Sequence, residues 1–328
     1  MVKPRKEGAT RRRVLSISLY ATLAVVLVAS APLWLAAAFL VGLARRRSFI
    51  VLRLLLFGTF YFSFEIFTLL RIAMVCIRFR RSPDRLQTRI VALQGWWAGT
   101  IMGVARGLLQ LDFSIEGLEQ ATPGPAILLI RHASILDTLL PSVFIQRPTG
   151  WRVRYVVKQE LLADPCLDVA GHILPNYFVD RTGDTQRELA GIRALAADLG
   201  TDGVLIFPEG TRFSEQKQAR VLQRIARETP ALLPRAEALE GVLPPKLGGV
   251  TTLLDELPEV DCVFLAHRGL ERFAKIHDLL SGEVVGETVH VRIWRVRADE
   301  IPRDDDARVR WLFDQWDHVS AFVTNRAR

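Results

Sequence analysis

The sequence predicts an α/β fold, a mixed β-sheet flanked by helices, preceded by an N-terminal membrane-embedded helical region. Three observations predict it. From residue 111 onward, short apolar runs of strand length alternate with helix-length segments, the pattern of a sheet with helices on its faces. Residues 14–77 are dominated by two long apolar runs, each flanked by basic clusters. Charge divides the chain: residues 1–110 carry 17 Lys/Arg against 3 Asp/Glu (net +14), the remainder 26 against 32 (net −6). The basic half is also the apolar half, which points to an anionic membrane surface. A nucleic-acid partner is disfavoured, because residues 111–328 are net acidic and lack interleaved aromatic and basic stripes.

In order along the chain, a basic tail (residues 1–13, with Lys3, Arg5, Lys6 and Arg11 to Arg13) leads into an uncharged run of 30 residues from Val14 to Leu43. As one helix it reaches ~45 Å, against a hydrocarbon core of ~30 Å. It is too long for the apolar region of a signal peptide, which runs to ~15 residues. Arg45 to Arg47 end it. A second run, Leu54 to Ile77, contains Glu65 and Arg71 and is the weaker span, since each charge at mid-membrane costs ~2.5–3.5 kcal/mol on insertion scales. Arg78, Arg80, Arg81 and Arg85 follow. A two-pass hairpin and a pair of re-entrant hairpins, the first bent near Ser30–Pro32, both accommodate this pattern; only the second keeps all three basic clusters on one side. Residues 14–89 are thus assigned to membrane-embedded or re-entrant helices and 90–328 to an α/β domain. Its entry segment, residues 90–110 with Trp96 and Trp97, suits either an interfacial helix or a core helix.

Within that domain, 111–117, 126–130 and 153–158 read as strands, as do "GVLIFPEG", "DCVFLAH" and "TVHVRIWRV". Helices are expected between them, one capped at Asp184 and stopped at Gly200, a polar one over "SEQKQARVLQRIARE", and one closing the chain over "DDARVRWLFDQWDHVSAFV". There is no Walker A loop, G-x-G-x-x-G or G-x-S-x-G. Cys76, Cys166 and Cys262 have neither metal spacing nor the pattern of a disulfide framework.

"RHASILD" (131–137) follows the buried strand "AILLI". On one unbroken helix a five-residue offset turns ~140°, so His132 and Asp137 meet only if His132 precedes the helix and Asp137 sits in its first turn. Ser134-x-x-Asp137 also matches a capping box, in which Asp137 only serves the helix start. The functional reading adds that a carboxylate on one ring nitrogen fixes the tautomer, leaving the other as a base for a hydroxyl. The pair has no nucleophile of its own, so the attacking group is a substrate alcohol. Further strand-end groups suggest a phosphate-binding pocket: Lys158 in "VKQEL", Asp180 and Arg181 in "NYFVDR", and Glu209, Gly210, Thr211 and Arg212 in "FPEGTR". Arg212 offers a fork for phosphate or carboxylate, and Glu209 either orients substrate or holds Arg212. "LLPR" and "LPPKLGG" are Pro-rich turns with a base in each.

"RHASILD" resembles the H-x4-D motif of the glycerolipid acyltransferases, specifically the 1-acylglycerol-3-phosphate (lysophosphatidate) acyltransferases. "NYFVDR" resembles the family's second block, "FPEGTR" its third and "LPPKLGG" its Pro-containing fourth, over roughly residues 90–300. The resemblance implies His132 as general base and Asp137 as its orienting partner, acting on an acyl-CoA or acyl carrier protein thioester. It implies Arg181 and Arg212 on the acceptor phosphate, Glu209, Gly210 and Thr211 shaping the site, and Pro244 near the acyl or acceptor path. Lys158 as a further phosphate ligand rests on electrostatics alone. Arg131 and Ala133 depart from the family, where Asn often precedes the His and a larger polar residue follows it. The expected chemistry needs no metal and no redox cofactor, only acyl-CoA or acyl-ACP as co-substrate. Membrane lipids and the acyl donor are the expected partners, and the expected location is a membrane, at its cytoplasmic face if the source is bacterial. A lipid hydrolase using the same pair on water, and a non-catalytic lipid-binding protein, are the alternatives.

Overall fold

The computed structural model describes residues 8–45, 49–122, 124–180, 185–274 and 276–325. The apolar N-terminal third folds as three helices, α1 (Ala9–Ala29), α2 (Ala31–Arg45) and α3 (Ile50–Phe79). The first apolar run is broken at Ser30, whose hydroxyl bonds back to the Val26 carbonyl instead of leaving that carbonyl to the helix ladder alone. α1 and α3 are each long and apolar enough to cross a membrane. Little of α1 is covered: Val14, Val25 and Val28 are each more than half exposed. Arg12 and Arg13 clasp the buried Asp168 at 2.8 and 3.1 Å, pinning the start of α1 to the helix Pro165–Ile173.

α4 (Pro83–Leu109) corrects the interfacial reading of residues 90–110. The helix begins seven residues earlier and turns Ile90, Leu93, Ala98, Ile101, Met102 and Ala105 inward as buried core. Ala98, Ile101 and Met102 pack on the sheet, while Ile90 and Leu93 pack with Ile72 of α3 and with Cys166 and Leu174; burial wins because it removes a whole apolar stripe from solvent. Trp97 donates from its indole to Glu65 of α3 at 2.5 Å, so one of the two tryptophans answers a buried carboxylate.

Seven strands follow: β1 (Asp112–Glu116), β2 (Ala126–Ile130), β3 (Val153–Lys158), β4 (Tyr177–Val179), β5 (Gly203–Ile206), β6 (Asp261–Arg268) and β7 (Thr288–Val296). They form one sheet in the order β1-β7-β6-β2-β5-β3-β4. Every neighbouring pair is parallel except β6 and β7. β2 lies at the centre, and all five of its residues are buried. Its alternation serves two layers: Ala126, Leu128 and Ile130 face the layer that holds α4, while Ile127 and Leu129 face the helices Thr185–Ala196, Leu247–Glu256 and Asp305–Val323. A strand covered on both faces needs apolar residues at every position, which is why "AILLI" shows no alternation. Complete burial of such a side chain is worth ~1.5–3 kcal/mol. Asp184, the expected helix cap, lies outside the described residues; the helix it was to cap begins at Thr185. That helix ends at Ala196, four residues before Gly200.

Four strands parallel to one another, β2, β3, β5 and β6, end at one edge of the sheet. His132, Lys158, Glu209 and His267 lie at or just beyond those ends, the place where open α/β sheets present ligand sites.

Candidate active site

His132 is the second residue past β2. Its backbone has left the strand, and a tight turn brings Asp137 back beneath it. Asp137 Oδ1 lies 3.1 Å from His132 Nδ1, while Oδ2 accepts from the backbone N–H groups of Ala133 at 2.6 Å and Ser134 at 2.7 Å. The capping and the functional readings are therefore both present, one on each oxygen. The Ser134 hydroxyl accepts from the Leu136 N–H at 3.2 Å. With Nδ1 committed to Asp137, the proton there leaves Nε2 as the basic nitrogen; Nε2 has no protein partner among the described residues. His132 lines the large cavity described below, and its ring packs 4.7 Å from that of Phe207.

Asp137 is wholly buried. Burial would raise its pKa, but hydrogen bonds from His132 and His267 hold it well below the ordinary carboxylate range. The carboxylate is ionised and suited to orient an imidazole.

Glu209 corrects the sequence reading. It neither lines the cavity nor holds Arg212. Only 1% exposed, it accepts from the N–H of His132 at 2.8 Å and from that of Leu243 at 2.9 Å. It thus staples the turn after β5 to the turn after β2 and to the Pro-rich loop. Burial pushes it up to about 7, against the Arg131 guanidinium and those two N–H groups, which pull it down. Arg212 is exposed, with no partner for its guanidinium among the described residues, and is absent from the cavity lining; the Thr211 hydroxyl, also outside it, accepts from Lys217 Nζ at 3.2 Å. The tight turn closed by Gly210 N–H on the Phe207 carbonyl carries the chain away from the cavity immediately after Gly210. Arg181 lies outside the described residues.

Gly210, Lys158 and Pro244 do line the cavity. Gly210 sits at φ +65°, and a Cβ there would come within 3.0–3.1 Å of the Lys246 side chain. Glycine is needed for the backbone angle and for that approach. Lys246 is the cation sequence reasoning passed over. It was visible only as the base in "LPPKLGG", one polar residue in a Pro-rich turn. Its N–H bonds the Pro208 carbonyl at 2.8 Å, and it lines the cavity with Lys158 and His132.

Two further buried groups adjoin the pair: Arg131, singled out above as a departure from the family, and His267, which sequence reasoning missed. Arg131, unexposed, donates to the carbonyls of His267 (2.7 Å) and Gly241 (2.8 Å) and to Glu271 Oε1 at 2.5 Å. It binds three segments together and does not line the cavity. His267, at the end of β6, lies 3.5 Å from Asp137 Oδ2, the oxygen not paired with His132. Its position after the apolar run "VFLA" was the available signal, the same strand-end logic that picked out His132.

The cavity encloses about 1030 Å³, at the upper end for a small-molecule site. Its walls are mainly apolar, from Phe57 and Ile101 through Leu136 and Leu139 to Ile192. It reaches Tyr20 of α1 and Tyr61 of α3 at the apolar helices, and Val221 and Ile225 of the exposed helix Glu215–Glu228 elsewhere. Its polar lining includes, besides His132, Lys158, Asn176 and Lys246.

Residues 112–255 match the family model described as Acyltransferase. Among solved structures, the fold is similar to that of the 1-acyl-sn-glycerophosphate (LPA) acyltransferase PlsC from Thermotoga maritima, with a TM-score of 0.56 and 16% sequence identity, over 85% of this chain and 99% of that one. At that identity the likeness is one of fold. No curated protein matches the chain.

Proposed function

We propose that this chain, whose residues 112–255 match the Acyltransferase family model and whose fold is like that of a 1-acyl-sn-glycerophosphate acyltransferase, is a membrane-bound O-acyltransferase of the glycerolipid type. It moves a fatty acyl group from an acyl-CoA or acyl-ACP thioester to the free hydroxyl of a lysophospholipid, foremost 1-acylglycerol-3-phosphate, giving phosphatidic acid. The observation that carries the reading is the His132–Asp137 pair at 3.1 Å, opening on a 1030 Å³ apolar cavity that reaches the membrane-type helices.

His132 Nε2 takes the proton of the acceptor hydroxyl as its oxygen attacks the thioester carbonyl. The tetrahedral intermediate collapses, the C–S bond breaks, and the leaving thiolate takes the proton back from the imidazolium. Asp137 steadies the ring throughout. An oxyanion needs an uncommitted donor. The N–H groups of His132, Ala133, Ser134, Leu136, Thr138 and Gly210 are all engaged. Ile135 lines the cavity, and its N–H has no partner among the described residues, which makes it the donor in this scheme. Lys246 and Lys158 receive the acceptor's phosphate, with Arg212 outside the site. The long apolar walls take the hydrocarbon chains. The scheme calls on no metal or redox group. The exposed apolar surface of α1 supports a location at a membrane; at a bacterial membrane, the use of a soluble thioester donor favours the cytoplasmic face.

The test is a thioester-consumption assay on membranes with a panel of acceptors, comparing wild type with His132→Ala and Asp137→Asn. The scheme expects acceptor-dependent thioester loss, reduced ~10²–10⁴-fold in His132→Ala. Fatty acid released without any acceptor identifies a hydrolase instead. Unchanged transfer in both variants refutes the mechanism.

A further inference from the structure

Asp137 faces two imidazoles, and the mechanism above uses only one. His267 closes β6 next to the strand that delivers His132, and it is completely buried. Its Nε2 lies 3.1 Å from the Arg131 carbonyl oxygen and 3.5 Å from Asp137 Oδ2. Its own carbonyl is held by Arg131 Nη1 at 2.7 Å. Its Nδ1 is buried with no hydrogen-bond partner. The charged and titratable groups around it are Arg131, Glu271, Asp137 and His132, with Glu209 beyond Arg131.

These contacts assign the ring its state. Both neighbours of Nε2 are acceptors, so the proton sits there. An unpartnered buried nitrogen is a cost that an apolar side chain of the same volume would avoid. The feature that offsets it is an N–H directed at the first peptide of the turn and at the oxygen of Asp137 that does not touch His132.

We propose that His267 is a positioning residue for the acyl-transfer reaction. Its N–H holds Asp137 Oδ2 and the Arg131 carbonyl, so that Oδ1 stays aimed at His132 Nδ1. The inference rests on the acyltransferase reading of the same site. Asp137 Oδ2 takes two hydrogen bonds from the backbone of its own turn; in this proposal the His267 N–H, 3.5 Å away on the neighbouring strand, is a third and longer-range donor, and Oδ1 is left to the base alone. Removing the third donor also leaves the carboxylate charge less neutralised, so it favours the charged imidazole more strongly.

The test uses the full chain in lipid nanodiscs as wild type, His267→Leu and His267→Gln, whose amide N–H reaches the same acceptors. Turnover is measured with an acyl thioester and lysophosphatidate. In ¹⁵N-histidine-labelled protein the Nδ1–H proton of His132, assigned by its loss in His132→Ala, is followed by NMR. The Leu variant is expected to lose about tenfold in kcat, the scale of a small misplacement of a catalytic group. Its KM should stay within twofold, the acidic limb of kcat/KM should move to higher pH, and the His132 proton should shift downfield. The Gln variant should recover most of each change. Where the Leu variant does not fold, His267→Asn, too short for the contact, takes its place. A Leu variant with wild-type kcat and an unmoved His132 resonance overturns the inference, as does a Gln variant as impaired as Leu. The resonance needs no turnover. A wild type that acylates none of the acceptors therefore counts against the acyltransferase reading, while the spectra still decide the role of His267.

Discussion

Replacing Glu209 by Gln separates a substrate-binding glutamate from a structural one. At pH 8 the side chain is ionised, being above the value of about 7 to which burial pushes it. Both oxygens are then used, 2.8 Å from the His132 N–H and 2.9 Å from the Leu243 N–H. Glutamine has one carbonyl and one NH₂, so one of the two N–H groups must face a donor. A buried group left unsatisfied in this way costs ~1–3 kcal/mol. For a domain of this size each kcal/mol lowers Tm by about 2–4 °C, giving a fall of roughly 2–12 °C. The residue that moves carries the base or the Pro-rich loop beside it, so kcat should drop by about tenfold. KM for the acceptor should stay within twofold, because Glu209 does not line the cavity. Thermal melts and acceptor saturation curves on the same preparation read all three. A variant with wild-type Tm and kcat but a KM raised tenfold would put Glu209 on the substrate and refute the reasoning.

Two other measurements bear on the site. Lys246→Ala should raise KM for a phosphorylated acceptor by roughly tenfold to a hundredfold, the loss of one charged hydrogen bond, while Arg212→Ala should change it less than twofold; the reverse order returns the phosphate to Arg212. Stability against pH should show two limbs of opposite sign. Glu209 is raised from 4.5 to about 7, so the folded state binds the extra proton, and its contribution falls as pH rises through that window. Asp137 is lowered from 3.8, so its contribution is present above that value and is lost as pH falls below it. Melts from pH 3 to 8 should lose the first limb in Glu209→Gln and the second in Asp137→Asn, and a limb that survives its variant belongs to another group.

Strand and helix order was legible along the chain because it depends on local pattern. "AILLI" has to be buried on both faces wherever it is placed, and "VRYVVK" became β3 residue for residue. The meeting of His132 with Asp137 was legible too, since it requires only a turn between a strand and a following helix. Residues 90–110 were ambiguous because an amphipathic stripe looks the same whether it meets lipid or a sheet. Only the neighbouring surface distinguishes them, and here the sheet and α3 supply it.

Sequence by itself determined which segments are apolar enough to span a bilayer or fill a sheet, and it marked the imidazole–carboxylate pair, because both depend on residues within a few positions of one another. Which cations line the cavity with that imidazole was decided only by tertiary structure. Arg212 and Gly210 are two residues apart, yet one points to solvent and the other touches Lys246, 36 positions further on. A turn's exit direction and the packing of a distant loop set that outcome, and neither is encoded in the spacing of a motif.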